Sequence, residues 1–311
     1  MRFPAPFRVP PSVKAAEKRV KFIREMGGGT PMFVDPALSP ALASAALGGV
    51  SAILLRKATG GADAFAVNFV KLVAGSASLA VAALALGFEP PSTAVAIRMA
   101  YVGLTGPLLG WYLYIKALSL GGVSVASTIA NTYPLVAVAV AYLLGSAPKP
   151  NHVAGALLVV AGVRLLLSGS NGEDRRRAVL LAGATSALWG VNQVVAKAAA
   201  GESDPMTLSL LRVLFAAIPA APLALARGLG LSRGALAAAA AAGLVSDFLG
   251  ALLWLLSLKV GSLAVAATVS ATTPVFAALL SSMLLGGEMS RRRWLGVLAA
   301  TAGVAMVSYA A

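Results

Sequence analysis

The chain has 311 residues, 59% of them hydrophobic and only 12% charged, with a mean hydropathy of +0.85. Globular domains sit near one half and one quarter for the first two quantities, so the composition excludes an ordinary soluble protein and points to one embedded in lipid. The formal charge of +14 would suggest nucleic acid in a soluble chain. Here the basic residues fall mostly between apolar stretches and in the first 36 residues, which makes anionic lipid headgroups the fitting partner and excludes nucleic acid. The absence of cysteine removes disulfides, thiolate catalysis and cysteine-ligated metals.

Residues 1–36 form a basic tail with seven Lys or Arg between Met1 and Asp35, several prolines and no apolar core. That pattern is not a signal peptide, and Lys14 to Met26 is expected as a surface helix. Beyond the tail, about ten apolar segments approach the roughly 20 residues that span a hydrocarbon core. They are expected near 37–57, 64–87, 94–118, 123–144, 152–169, 178–199, 206–227, 234–258, 263–285 and 293–310. The loops are short, which makes sequence neighbours antiparallel and leaves no room for a soluble domain. The longest internal break, SGSNGEDRRR, contains an expected linker over 170–177.

The two sides of that linker repeat each other. Thr128, Thr132 and Pro134 align with Thr268, Thr272 and Pro274 at an offset of 140, and Gly155 and Gly162 with Gly296 and Gly303 at 141. Gly49, Arg56, Gly60, Asp63 and Lys71 align with Gly190, Lys197, Gly201, Asp204 and Arg212, also at 141. The repeats therefore cover 37–169 and 178–310, five spans each, and a duplication of that extent decides the fold. An odd number of spans per repeat turns the second half over in the bilayer. The expected fold is an all-α integral membrane protein of about ten transmembrane helices in two inverted five-helix repeats, with a substrate site between the repeats near the midplane. The basic tail favours a cytoplasmic N-terminus, yet Arg175–Arg177 and Arg291–Arg293 would then lie outside, so charge alone does not orient the chain.

Two such halves resemble the EamA family of the drug/metabolite transporter superfamily. Each has a glycine-bearing first helix ending in a base, a base early in the second, a central proline in the fourth and a Gly-x6-Gly fifth. The second half carries the pattern best: Trp189-Gly190-Val191-Asn192, Lys197, Arg212, Thr273-Pro274 and Gly287-Glu288. The first half has Gly48, Ser51 and Pro148 where Trp189, Asn192 and Glu288 stand. The resemblance implies ten helices, cytoplasmic termini in a cell membrane, and movement of small metabolites by alternating access. It implies no catalysis and no cofactor.

Charges within spans cost about 2.5–3.5 kcal/mol each on insertion scales and so draw attention first. Asp247 is the one acid well inside a span, with Gly250 and Trp254 expected on its face of the helix; it suits either proton coupling or neutralisation of Lys71, Arg212 or Lys116. Lys71 and Arg212 would attract an anionic group, or snorkel to an interface. Lys71 continues a stripe of Asn68, Gly75 and Ser78. Pro134 and Pro274 are expected to kink their helices and free carbonyls beside Asn131, Thr132, Thr272 and Thr273. Trp189, Asn192 and Gln193 share a face with Lys197, and Tyr112 sits among Trp111, Tyr114 and Lys116. These, with Trp254, form an aromatic and amide lining fit for a small-molecule substrate. The glycines at 155, 162, 296 and 303 are read as packing residues, and His152 as interfacial. No metal motif or paired acids appear, which argues against an enzyme.

The reading is a secondary carrier, not an enzyme, that exports an amino-acid-like or drug-like solute, with proton coupling through Asp247. Its alternatives are an exchanger of anionic solutes, sugar phosphates or nucleotide sugars, that uses Lys71 and Arg212, and a membrane scaffold that transports nothing.

Overall fold

The computed structural model describes residues 36–143, 150–167, 172–261, 266, 269, 270, 272–284 and 290–310. The basic tail with its expected surface helix, Pro148, Thr268 and Glu288 lie outside the described residues, as do the side chains of His152 and Tyr309. The described residues contain helices and no strand, and Pro36–Ala311 forms one unit.

In the first half, α1 runs Leu38–Ala58, α2 Ala64–Leu86 and α3 Thr93–Gly103. A π-helical turn, Leu104–Gly110, joins α3 to α4, Trp111–Ala130; α5 is Tyr133–Leu143 and α6 Pro150–Leu167. In the second half, α7 is Glu173–Ala200, α8 Pro205–Arg227 and α9 Arg233–Ala242. A second π-helical turn, Gly243–Gly250, leads to α10, Ala251–Val260; α11 is Thr273–Leu284 and α12 Arg291–Ala310. Six stretches of the described residues are long and apolar enough to cross a membrane: Leu38–Ala58, Ala64–Leu86, Thr93–Ala130, Glu173–Ala200, Pro205–Arg227 and Arg233–Val260. Shorter apolar helices lie at Ala154–Val163 and Thr273–Leu284.

The aligned polar residues end helices. Asp63 Oδ1 accepts from the backbone N–H of Phe65 and Ala66, and Asp204 Oδ1 from that of Thr207, so each aspartate caps the second helix of its half. Ser92 and Ser232 do the same for α3 and α9. The base at the end of each first helix serves the opposite pole. Arg56 Nη1 donates to the Ser119 carbonyl at 3.0 Å, and Lys197 Nζ to the carbonyls of Leu258 and Gly261 at 2.5 and 2.9 Å. A cation there satisfies terminal carbonyls and complements the helix dipole.

The third and fourth spans, expected at 94–118 and 123–144, meet within α4, where Gly122, with a φ of 76° and a ψ of 171°, interrupts the helix between them. Two expectations are corrected. The expected kinks at Pro134 and Pro274 are helix starts instead. A turn at Asn131–Thr132 ends α4, and each proline is the second residue of a new helix, where no backbone donor is needed. The sixth span, expected at 178–199, begins at Glu173, inside the expected linker. Glu173 and Asp174 occupy its first turn, where acids suit the dipole, and Glu173 pairs with Arg177 at 2.5 Å.

Close contacts between the halves exchange partners across the offset. Gly49 faces Phe276 and Ala277, while Gly190 faces Tyr133 and Val136. Gly103 faces the Arg212 carbonyl, and Gly243 the Lys71 carbonyl. Gly162 lies on Gly296 and Ala300, and Gly303 on Gly155 and Val159. A Cβ at Gly49 would stand 2.7 Å from Phe276 Cβ, so these positions admit no side chain without moving a helix.

Gly49→Ala and Gly190→Ala are each expected to cost about 1–3 kcal/mol through overpacking, read as a lower unfolding temperature in detergent. Gly234→Ala, with nothing within 4 Å of its Cβ position, is expected to lose no stability.

Candidate functional site

The two π-helical turns fall at equivalent positions of the repeats, within Gly-Leu-Thr-Gly-Pro-Leu-Leu-Gly at 103–110 and Gly-Leu-Val-Ser-Asp-Phe-Leu-Gly at 243–250, which share four of eight residues. Widening a helix frees carbonyls that the bilayer cannot hydrate, and side chains from neighbouring helices reach them. Asn68 Nδ2 donates to the carbonyls of Pro107 and Leu108, both at 3.0 Å. Ser44 Oγ donates to the Gly250 carbonyl at 2.8 Å, and Thr185 Oγ1 lies 3.3 Å from that of Gly110. Pro107 and Asp247 occupy the same position in the two turns. Proline removes a donor there, and aspartate adds a charge.

Asp247 points at α2. Gly75 leaves no space for a side chain of its own against Asp247 Cβ, and this close approach sets the carboxylate on Lys71. Lys71 Nζ donates to Asp247 Oδ2 at 2.5 Å, with both side chains wholly buried. The same ammonium lies 4.1 Å from the Trp111 ring centroid, a cation–π contact that offsets part of its desolvation. Arg212, from α8, approaches the other oxygen with Nη2 3.5 Å from Oδ1 and its guanidinium 5.8 Å from the Trp254 ring. Two cations from equivalent positions thus share one carboxylate, and Lys71 does not snorkel.

Beside this cluster lies a cavity of about 160 Å³ lined from both halves. Trp111, Tyr114, Tyr133, Trp189 and Trp254 supply its aromatic surface, and Trp189 has three ring neighbours at centroid distances of 5.4–6.5 Å. Asn131, Asn192, Gln193, Ser44, Ser246, Ser270 and Thr273 supply neutral polar groups, and Arg212 the one charge among the described lining residues. Trp254 Nε1 donates to Gln193 Oε1 at 3.2 Å, which fixes both. Gly48 lines the cavity at the position matching Trp189, with Thr273 Cγ2 3.1 Å from where its Cβ would stand. One half thus brings a tryptophan and the other leaves the space.

Of the residues singled out in the sequence, the cavity gathers Trp189, Asn192, Gln193, Asn131, Thr273, Trp254 and Arg212. Lys71 and Asp247 lie behind its wall. Asp247 and Trp254 both face Arg212, although the π-helical turn that carries Asp247 departs from the 3.6-residue period. Thr132 Oγ1 is taken up by the Ile129 carbonyl and Ser186, and Thr272 Oγ1 by the Val269 carbonyl. Tyr112 stacks edge-on to Phe65, with Lys116 over its ring, away from the cavity. Pro134 and Pro274 are buried at their helix starts. Sequence reasoning passed over Ser44, Tyr133, Ser246 and the π-helical turns. The Gly-Leu and Leu-Gly pairs that flank both turns, in register at an offset of 140, were the signal for them. Among the described residues no three His, Cys, Asp or Glu converge as metal ligands.

A helical bundle of membrane-spanning length, with a polar and aromatic cavity between two like halves, belongs to the class of multi-pass membrane transporters. The family profile described as the EamA-like transporter family matches residues 36–168 and 176–309. The chain belongs to that family, of the drug/metabolite transporter superfamily. No curated protein matches it. A solved structure described only as the crystal structure of a protein is similar, with a TM-score of 0.63 and 22% identity over 86% of this chain and 99% of that one. At that identity the likeness speaks for the fold alone.

Lys71→Met and Asp247→Asn, each leaving a buried charge less compensated, are expected to cost about 3–5 kcal/mol singly. The double variant is expected to cost less than the sum, measured as a thermal-unfolding cycle. A coupling role for Asp247 predicts, in addition, that the folded double variant loses any dependence of solute flux on a proton gradient.

Proposed function

We propose that this protein is a secondary carrier that moves a small organic solute of amino-acid-like or drug-like size out across the cell membrane. In this reading ten helices form two inverted repeats, 37–169 and 178–310, and the halves rock about the midplane to expose the cavity to each side in turn. The observation that carries it is the aromatic and amide-lined cavity bounded by both halves, with the π-helical turns at its walls. The exchange of contacts across the offset supports inversion, because five spans per half turn the second half over and a two-fold relation trades partners in this way. Tail and C-terminus lie on the cytoplasmic side in this arrangement.

The chain has no cysteine, so single cysteines report cleanly. Gly60→Cys and Gly201→Cys, at exposed and equivalent turns, are expected to react with an impermeant thiol reagent from opposite faces of the membrane. Labelling from the same face would overturn the inverted arrangement. Ser270→Cys, within the cavity, is expected to react more slowly in the presence of a transported solute. Reconstituted vesicles that exchange no solute from a set of amino acids, organic acids and amines would sink the carrier reading.

A further inference from the structure

We propose that the cavity takes an organic monoanion, a carboxylate on a flat apolar body, with Arg212 as its receptor. This rests on the carrier reading and gives its site a substrate class. The charge balance is the first observation. Among the described residues Asp247 is the one buried acid, and it faces two buried cations, Lys71 and Arg212. Lys71 has the tighter claim, at 2.5 Å with good hydrogen-bond geometry, and takes no part in lining the cavity. The cluster is therefore one negative charge short, and the surplus sits on the guanidinium.

The second observation is where that guanidinium stands. Arg212 is 6% exposed and lines the cavity. Its Nε has no hydrogen-bond partner among the described residues, and its approach to Asp247 at 3.5 Å leaves Oδ1 without a hydrogen bond. A guanidinium carries five donors in a planar fork that matches a carboxylate in two-point contact. An incompletely filled fork at a buried site favours an acceptor that brings its own negative charge, and the remaining described lining is neutral. Trp254, against the guanidinium, and the cluster of Trp111, Tyr114 and Trp189 offer faces for an apolar ring. Lys71, in this account, braces the carboxylate and does not touch the solute.

Three probes with one phenyl body and different heads test this: phenylacetate, 2-phenylethanol and phenethylamine, titrated against the purified full chain by calorimetry. Phenylacetate is expected to bind about ten- to hundredfold more tightly than the other two, the range for a charge-assisted pair. Arg212→Gln is expected to abolish that preference, and Arg212→Lys to retain part of it, while Lys71→Met/Asp247→Asn keeps it. Equal affinities, a preference for the amine, no binding of any probe at millimolar concentration, or a preference that survives Arg212→Gln overturns the proposal; because the ranking is read on the unmodified chain, a variant that fails to fold does not decide it. Flux of the same probes in vesicles separates the two readings. Binding of phenylacetate without flux defeats the carrier and leaves the anion site, whereas flux without head-group preference defeats the anion site and leaves the carrier.

Discussion

A carboxylate held between two cations, all three buried, is the interaction on which the rest of the bundle depends. Burying Lys71, Arg212 and Asp247 separately would cost more than a marginally stable fold can bear. Together they are tolerable only if the helices meet closely enough for the charges to touch. Glycines at 75 and 243 grant that approach, because Asp247 Cβ and the Lys71 carbonyl occupy the space where their side chains would be. Trp111 covers the ammonium and Trp254 flanks the guanidinium. Small residues, a wide helical turn and two tryptophans are thus parts of one electrostatic arrangement, with the cavity against its outer wall.

The same economy governs the backbone. Inside a bilayer each unpaired N–H or C=O must be met by protein, and the polar side chains in the spans are spent mostly on that demand. Asn68, Ser44 and Thr185 serve the π-helical turns, Arg56 the carbonyl of Ser119 just before the Gly122 break in α4, Lys197 the end of α10, and Ser92 and Ser232 the starts of α3 and α9. The cavity wall is a short set of amides, hydroxyls and aromatic rings with one guanidinium, and several of them, Ser44, Asn131 and Ser246, also serve backbone carbonyls. Holding the fold and lining the cavity are therefore overlapping tasks for the same polar residues.

The repeat, the helical class and much of the cavity wall were legible in the sequence, because Pro, Gly, Thr and charged residues in register are rare coincidences in an alanine-rich chain. Trp189, Asn192 and Gln193 could be grouped because α7 keeps a regular period through them. Asp247 and Trp254 both reach Arg212, although the turn that carries Asp247 widens the helix where face assignments assume constant pitch. The prolines misled by their central position. A proline seen in mid-span is the same string whether the helix bends at it or ends before it, and only the turn at Asn131–Thr132 decides. Tyr112 and Thr132 looked like lining residues by composition, but their partners, Phe65 and the Ile129 carbonyl, lie on other surfaces. Contacts made across distant segments leave no local pattern to read.

Pro107 and Asp247, alike in position and unlike in chemistry, carry a consequence for how such a molecule could arise. Two identical five-helix subunits around a two-fold axis would place either two prolines or two aspartates in these turns. Two aspartates would balance the two cations, and two prolines would leave both unmatched. A single acid serving both bases is open only to a tandem chain whose copies are free to drift apart. Covalent joining, on this view, gave the molecule an off-balance centre that no symmetric assembly of one shorter chain can possess.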